Sequence, residues 1–300
     1  MIDTEISKVA ILQKLIFIFF ALGTLAAAWD VTVRRRFGLA VLFLIPALLI
    51  AGVAGWAYLI EPNWIQVRRV QIKDAALASI LKDTRLVQIT DIHLTQGIGF
   101  RERQMVRKIN ALKPDVVIFT GDLFDSRDQI GPALELFRSL QTKLILGIPG
   151  DTDLIVVKSQ EFENIMSTVM HVLRNRSGQI HLPNGNKLWI SGVDHPRRLQ
   201  QALAGIPTEE PLVVLSPSPD IFHDAAKAGV NLVLTGDTHG GQVGIDFLIR
   251  MSEYANRTPY MRGLFKRENT HMYVNRGIGV KTRPIRFLCR PEIALIQAVS

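Results

Sequence analysis

The chain has little cysteine, no repeats and one long stretch without charge. Its single cysteine, Cys289, excludes an internal disulfide framework and a cysteine-based zinc site. It leaves the compartment open, since a disulfide-free protein is at home on either side of a membrane. Neither an internal repeat nor a low-complexity tract is present, which excludes solenoid and biased-linker architectures. Disorder is excluded as well, because 48% of the 300 residues are hydrophobic. A mean hydropathy of +0.19 is high for a soluble protein and points to a membrane segment. The length allows one ordinary to large domain plus an appendage.

The uncharged stretch is Gly38 to Ile60, long enough for the ~20 apolar residues a membrane helix needs. Pro46 within it is tolerable in such a helix. An earlier uncharged run, Leu15 to Trp29, extends back to Val9 across Gln13 and Lys14 and qualifies if Lys14 snorkels. Trp29, Trp56, Tyr58 and Trp64 lie near the ends, where interfacial aromatics belong. A cleaved signal peptide competes for the first run. The second run directly behind it favours a helical hairpin, so residues 1–60 are expected to form an anchor with two transmembrane helices. Arg34, Arg35 and Arg36 between the runs place that loop in the cytoplasm and the larger part of the chain on the extracytoplasmic side. Arg68 and Arg69 just after the second run weigh against this orientation.

Acidic residues are the minority: Lys+Arg is 35 and Asp+Glu is 27, a net charge of +8. Five of the bases and three of the acids precede residue 61, leaving a surplus of six bases in the remainder. A basic surface suits phosphate-bearing substrates, an acidic lipid face or nucleic acid, and serves plain solubility equally well.

Residues 61–84 read as a linker with an edge strand, and 85–300 as one domain. Strand-like runs at Leu86–Thr90, Val116–Thr120, Leu144–Ile148, Leu188–Ser191, Leu212–Leu215 and Leu232–Thr235 alternate with helix-like stretches. Helical spacing covers Glu102–Leu112 and stops before Pro114, and the tail from Met272 reads as strand-rich. This order predicts an α/β layered domain. Polar residues cluster where these strands end. Asp91-Ile92-His93 follows the first, Gly121-Asp122 the second and Gly150-Asp151-Thr152-Asp153 the third. Gly236-Asp237-Thr238-His239-Gly240-Gly241 follows a later one. Each fragment alone reads as a turn. Together they bring carboxylates and imidazoles to one rim, where loops host chemistry.

With these fragments, and with Tyr273-Val274-Asn275-Arg276-Gly277-Ile278-Gly279 and Pro284-Ile285-Arg286-Phe287, the sequence from about Leu86 onward resembles the calcineurin-like metallophosphoesterases. The likeness is to their membrane-anchored bacterial branch, which implies a location in the inner or plasma membrane. It implies a four-layer α/β/β/α sandwich, here preceded by the helical hairpin, and a dinuclear metal centre. The family hydrolyses phosphomonoesters, phosphodiesters or pyrophosphates through a metal-activated hydroxide. Some relatives of this branch act on a UDP-diacylglucosamine lipid precursor. Carried over by motif, Asp91, His93 and His239 match the first metal site and Asp122 the bridging aspartate. Asp122, Asp151 and His239 become the catalytic candidates.

The second site departs from the family pattern. Asp151 stands in place of an asparagine ligand, and Asp237 in place of a histidine. Pro217 stands where another histidine ligand is usual and offers no donor. Thr152 replaces the histidine that contacts substrate phosphate. A second site of Asp122, Asp151 and Asp237 would be all oxygen, which favours Mg²⁺ or Mn²⁺, giving one or two divalent ions per chain. Pairing with Lys or Arg is the other way to hold three such carboxylates. Losing the imidazole at 152 forfeits general-acid help typically worth 10²–10⁴-fold, so a good leaving group is expected.

Thr152 and Arg276 are the substrate-contact candidates. Arg276 and Arg286 could equally be salt-bridge partners. His195 could return an imidazole from another loop, although a surface or core role suits it and His171, His181, His223 and His271 better. Arg101, Arg103, Arg107 and Lys108 with Met105 and Val106 form a basic amphipathic stretch, suited to an acidic membrane or to a solvated helix face. The expected activity is metal-dependent cleavage of a phosphodiester or pyrophosphate bond in a lipid-linked or nucleotide substrate. The alternative is an inactive, membrane-tethered binding protein. Nucleic acid is not expected as a partner.

Overall fold

The computed structural model describes residues 21–26, 28–29, 37–207, 209–245, 258–281 and 283–300. Two compact units are separated, residues 1–57 and 58–300. In the first, helix α1 (Phe37–Gly55) contains Pro46. A wider turn at Trp56–Ile60 and a tighter one at Glu61–Asn63 continue it. Val41–Asn63 is a 23-residue helix with an 18-residue apolar stretch of mean hydropathy 2.1, long and apolar enough to cross a membrane. Residues 21–26 and 28–29 are also helical. The rest of the first apolar run and the Arg34–Arg36 triplet lie outside the described residues. Among those described, one helix of membrane-spanning length is present, and the first helix of the expected hairpin falls mostly outside them.

The second unit is an α/β sandwich of two six-stranded sheets. In chain order its elements are β1 (Gln66–Lys73), α2 (Ala75–Ile80), β2 (Leu86–Ile89), α3 (Phe100–Leu112), β3 (Val116–Phe119), α4 (Ile130–Arg138) and β4 (Leu144–Gly147). There follow α5 (Asp151–Val156), α6 (Ser159–Met166), β5 (His171–Val172), β6 (Arg176–His181), β7 (Lys187–Gly192), α7 (Leu199–Leu203) and β8 (Leu212–Leu215). The last are α8 (Phe222–Lys227), β9 (Leu232–Thr235), β10 (Gly263–Arg267), β11 (Thr270–Val274) and β12 (Glu292–Val299). The sheet orders are β1-β12-β2-β3-β4-β5 and β10-β11-β9-β8-β7-β6.

The strands sort their side chains by the two-residue period of a pleated sheet, and both faces are covered. In β3, Val117 and Phe119 join a core with Met105 and Ile109 of α3 and Leu136 and Phe137 of α4. Val116 and Ile118 face the other way, into a core with Val213 and Leu215 of β8 and Leu234 of β9. Val214 and Val233 point outward again, onto Leu199 of α7 and Ala225 of α8. Three apolar layers thus separate helices, sheet, sheet and helices. This double coverage is why the strands read as unbroken apolar runs rather than alternating ones.

Three stretches differ in detail from the sequence reading. The segment 61–84 is edge strand and helix: β1 pairs in parallel with β12, and Ile72, Leu77 and Leu81 are buried between the sheets. Helix α3 starts earlier than its apolar spacing shows, because the Glu102 carboxylate caps the Gly99 N–H at 2.9 Å. That helix buries Met105 and packs Val106 against the first core, so these residues are not offered to a lipid surface. The strand-rich tail consists of β11 and β12 with a long loop between them. Arg286 organises that loop. It is fully buried and donates to the carbonyls of Gly279, Cys289, Arg276 and Gly277. A phosphate clamp at Arg286 is thereby excluded.

Candidate metal centre

Strands β2, β3 and β4 run parallel, so their C-terminal ends share one rim. Parallel β8 and β9 of the other sheet deliver Ser216-Pro217 and Asp237 to His239. The loops are tied together through the backbone. Asp91 N donates to the Gly121 carbonyl at 2.8 Å, and His93 N to the Asp122 carbonyl at 3.1 Å. Asp237 N donates to both Asp91 oxygens, at 3.1 and 3.2 Å. Asp91, His93, Asp122, Asp237 and His239 all adopt left-handed backbone, with φ of 50, 46, 58, 73 and 49°. That conformation costs about 1–2 kcal/mol per residue outside glycine. It persists where surrounding contacts over-determine it, as they do here, and such strain gathers at functional sites.

Asp91, His93 and His239 are buried, and one ligand atom from each lies within 4.8 Å of the others. The two Nε2 atoms are 3.1 Å apart, and His239 Nε2 is 3.7 Å from Asp91 Oδ1. On its far side, His93 Nδ1 lies 2.6 Å from Asp125 Oδ1. A carboxylate there fixes the tautomer and leaves Nε2 unprotonated toward the centre, the usual support for a metal-ligating histidine. Asp122 Oδ2 stands 3.6 Å from His93 Nε2, and its Oδ1 accepts the Thr152 N–H at 2.9 Å.

Electrostatics agree with a cation site. Burial, then the Asp122 charge, pushes the Asp91 carboxyl up to about 7. Burial holds His239 well below its ordinary value, and the neighbouring His93 adds to this. Burial also opposes the charged form of His93, but the Asp125 hydrogen bond and the charges of Asp122 and Asp91 outweigh it and raise the pKa. Without a cation the Asp91 carboxyl is driven to hold its proton. A divalent ion inverts that preference. Two imidazole nitrogens and a carboxylate aimed at one buried point therefore fit a metal ion, and they form a site for one.

The match to known families decides the identity. The calcineurin-like phosphoesterase profile covers residues 84–241, just over half of the chain.

The chain belongs to the calcineurin-like phosphoesterase family.

It is 29% identical over 270 residues to the uncharacterized metallophosphoesterase YkuE of Bacillus subtilis, a match spanning 85% of this chain and 92% of that protein. It is 30% identical to a transmembrane protein with metallophosphoesterase domain from Danio rerio, over 76% of this chain and 56% of that protein. It is 25% identical to the UDP-2,3-diacylglucosamine pyrophosphatase LpxG of Chlamydia trachomatis, over 81% of this chain and 92% of that protein. This phosphoesterase is thus a metal-dependent hydrolase of phosphate esters or anhydrides with a membrane context, and its three compact side chains form a site able to hold one divalent ion.

On the other side of Asp122 the phosphoesterase departs from a ligand pattern. Asp151 is exposed, at the first position of α5, and lines a groove with Arg174, Asp194, His195 and Arg197. Asp153 turns inward instead. It is fully buried and accepts from Leu123 N at 2.9 Å, Phe124 N at 3.2 Å and Gly150 N at 2.9 Å. Pro217 is buried, with its ring against Gly121. A Cβ at Gly150 would fall on the Asp122 carboxylate, so this turn must be glycine. Asp237 is half-buried beside Asp91 and helps raise its pKa.

Lys281, which no motif singled out, brings its Nζ to 3.7 Å from Asp122 Oδ2. Arg276 is drawn toward buried Glu292, 3.5 Å from its Nε. Asp125 and Lys281 escaped the sequence reading, and Asp153 was named in its fragment without a role. Asp125 and Asp153 lie two or three residues beyond motif positions, and an acidic residue there was the available signal. Lys281 had none, since its place depends on a long loop.

Proposed function

We propose that this phosphoesterase cleaves a phosphodiester or pyrophosphate bond of a lipid-linked substrate at the membrane surface, with its catalytic unit on the extracytoplasmic side. The observation that carries this is the cleft at His93. Its lining includes Asp125, Phe100, Arg101 and Arg283, and also Asn63, the last residue of the apolar helix. Phe100 and Trp64 are well exposed, giving that region aromatic surface suited to a lipid interface. The chain's similarity to a diacylglucosamine pyrophosphatase supports the same substrate class.

In this reading Asp91, His93 and His239 hold the cation. When bound it supplies Lewis acidity and a hydroxide nucleophile at neutral pH. Asp122 orients the attacking water, and the half-buried Thr152 contacts a phosphoryl oxygen. Thr152 provides no imidazole to protonate a leaving group, so substrates whose leaving group departs as a stable anion are favoured, and a phosphate or nucleotide is one. The preference for Mn²⁺ or Mg²⁺ depended on Asp151 joining Asp122 and Asp237. With Asp151 at the surface, the mixed nitrogen and oxygen set of the compact site governs metal choice, and that set also accommodates Zn²⁺ and Fe²⁺.

The test is hydrolysis by the full chain in lipid vesicles, comparing a UDP-linked lipid with its soluble headgroup. Faster cleavage of the lipid form, abolished in Asp91→Ala and Asp122→Ala, is the expected result. Equal rates on both substrates would remove the lipid-linked reading.

A further inference from the structure

The metal side of Asp122 is assembled from buried ligands, but its opposite side is not. Asp151 is exposed, Pro217 carries no donor atom, and Asp122 Oδ1 is already engaged by the Thr152 N–H. The remaining oxygen, Oδ2, lies between His93 Nε2 at 3.6 Å and the Lys281 ammonium at 3.7 Å, so the lysine is the one cationic side chain the described residues bring to it. This placement is built by the fold. The Lys281 backbone N–H is held by Gln242 Oε1 at 2.7 Å, and Gln242 closes the turn that begins at His239. Buried Arg286 fixes the carbonyls of Gly277 and Gly279 on the approach to the same loop, and Gly279 N donates to the Asp91 carbonyl at 2.6 Å. The ligand Asp91 and the lysine are thereby tied to one rigid segment. The Lys281 side chain is about one-third exposed, so its ammonium faces both Asp122 and the solvent from which substrate enters.

We propose that Lys281 takes the place of the second cation: the centre binds one divalent ion at Asp91, His93 and His239, and the ammonium neutralises Asp122 and receives a phosphoryl oxygen of the substrate. The proposal rests on the phosphohydrolase reading above for its catalytic half, but its metal count does not. A second divalent ion at Asp122 would meet a fixed positive charge at short range and too few donors to offset that repulsion. An ammonium supplies charge at a developing phosphoryl oxyanion without needing a ligand shell of its own. The sequence departures at 151, 217 and 237 then describe one exchange, a metal for a lysine, rather than decay of the site.

The test uses the full chain in detergent micelles, stripped with a chelator and reloaded with Mn²⁺ alone. One retained Mn²⁺ per chain with the six-line spectrum of an isolated ion is expected. Two retained ions, or an exchange-coupled spectrum, overturn the proposal whatever the activity. Lys281→Ala is expected to keep its single Mn²⁺ and to hydrolyse bis(4-nitrophenyl) phosphate about 10²-fold more slowly in kcat. Lys281→Arg, or added methylammonium with Lys281→Ala, is expected to recover part of that loss. Unchanged turnover in Lys281→Ala overturns the proposal. So does loss of its Mn²⁺ while Lys281→Arg retains the ion, since that makes Lys281 a prop for the first site. If the wild type fails to hydrolyse this diester, the phosphohydrolase reading falters, and the metal count still decides the question of Lys281.

Discussion

Asp125 sits three residues beyond Asp122, and its effect passes through His93. Its Oδ1 lies 2.6 Å from Nδ1 of that ring, which keeps Nε2 as the ligand nitrogen. Asp125→Ala should weaken Mn²⁺ binding about 10- to 100-fold without unfolding the chain, as titration calorimetry beside a thermal melt would show. Proton linkage makes a second prediction at this scale. The Asp91 carboxyl is pushed up to about 7 by burial and by Asp122, and His93 is also raised. Both must be deprotonated to ligate. Below about pH 7 each bound ion must therefore displace protons, and the apparent Mn²⁺ affinity should fall about tenfold or more per pH unit. Above it the Asp91 proton no longer competes and the slope should ease. A flat profile between pH 5.5 and 7 would show that neither Asp91 nor His93 holds a competing proton in the metal-free protein.

At the scale of elements, the turn after β4 decides which of its two acids faces the centre. Helix α5 begins at Asp151 with Gly150 as its cap, and Asp153 at the third position bonds back to the Gly150 N–H. That reach aims Asp153 at the interior and leaves Asp151 outward. The same carboxylate also holds the backbone of Leu123 and Phe124, joining the loops after β3 and β4. Asp153→Ala strands three buried N–H donors, so a loss of about 3 kcal/mol or more is expected in urea unfolding. Metal affinity should decline with it, because Asp122 is carried by the same loop. The strands themselves were legible in the sequence: Val116–Phe119 and Leu212–Leu215 are apolar throughout because each face meets a packed layer. The start of α3 at Phe100 was less so, since its cap is a glycine and the Glu102 that completes it looks like any surface acid.

At the scale of the molecule, the chain divides into residues 1–57, which hold most of the apolar helix, and residues 58–300. The helix from Val41 to Asn63 buries 6% of its apolar window within the protein, so its surface is left for lipid. A chain beginning at Tyr58 should fail to float with vesicles yet bind Mn²⁺ as the full chain does. Flotation assays and metal titration on the two forms check this. If the shortened chain loses its metal, the first unit contributes to the site.

The residues at strand ends determined by themselves that Asp91, His93, Asp122 and His239 would converge. Parallel strands emerge at one rim wherever the sheet order places them, and the spacing of each motif fixes how far its side chain stands from that rim. The tertiary structure alone decided the fate of the second site. Whether Asp151 or Asp153 turns inward depends on backbone donors from another loop. Whether a metal or an ammonium meets Asp122 depends on where the loop after β11 lands. Arg286 sets that position through carbonyls on either side of the segment it holds. Local sequence carries no record of the contacts from Asp153 to Leu123 and from Lys281 to Asp122, because they join segments far apart in the chain.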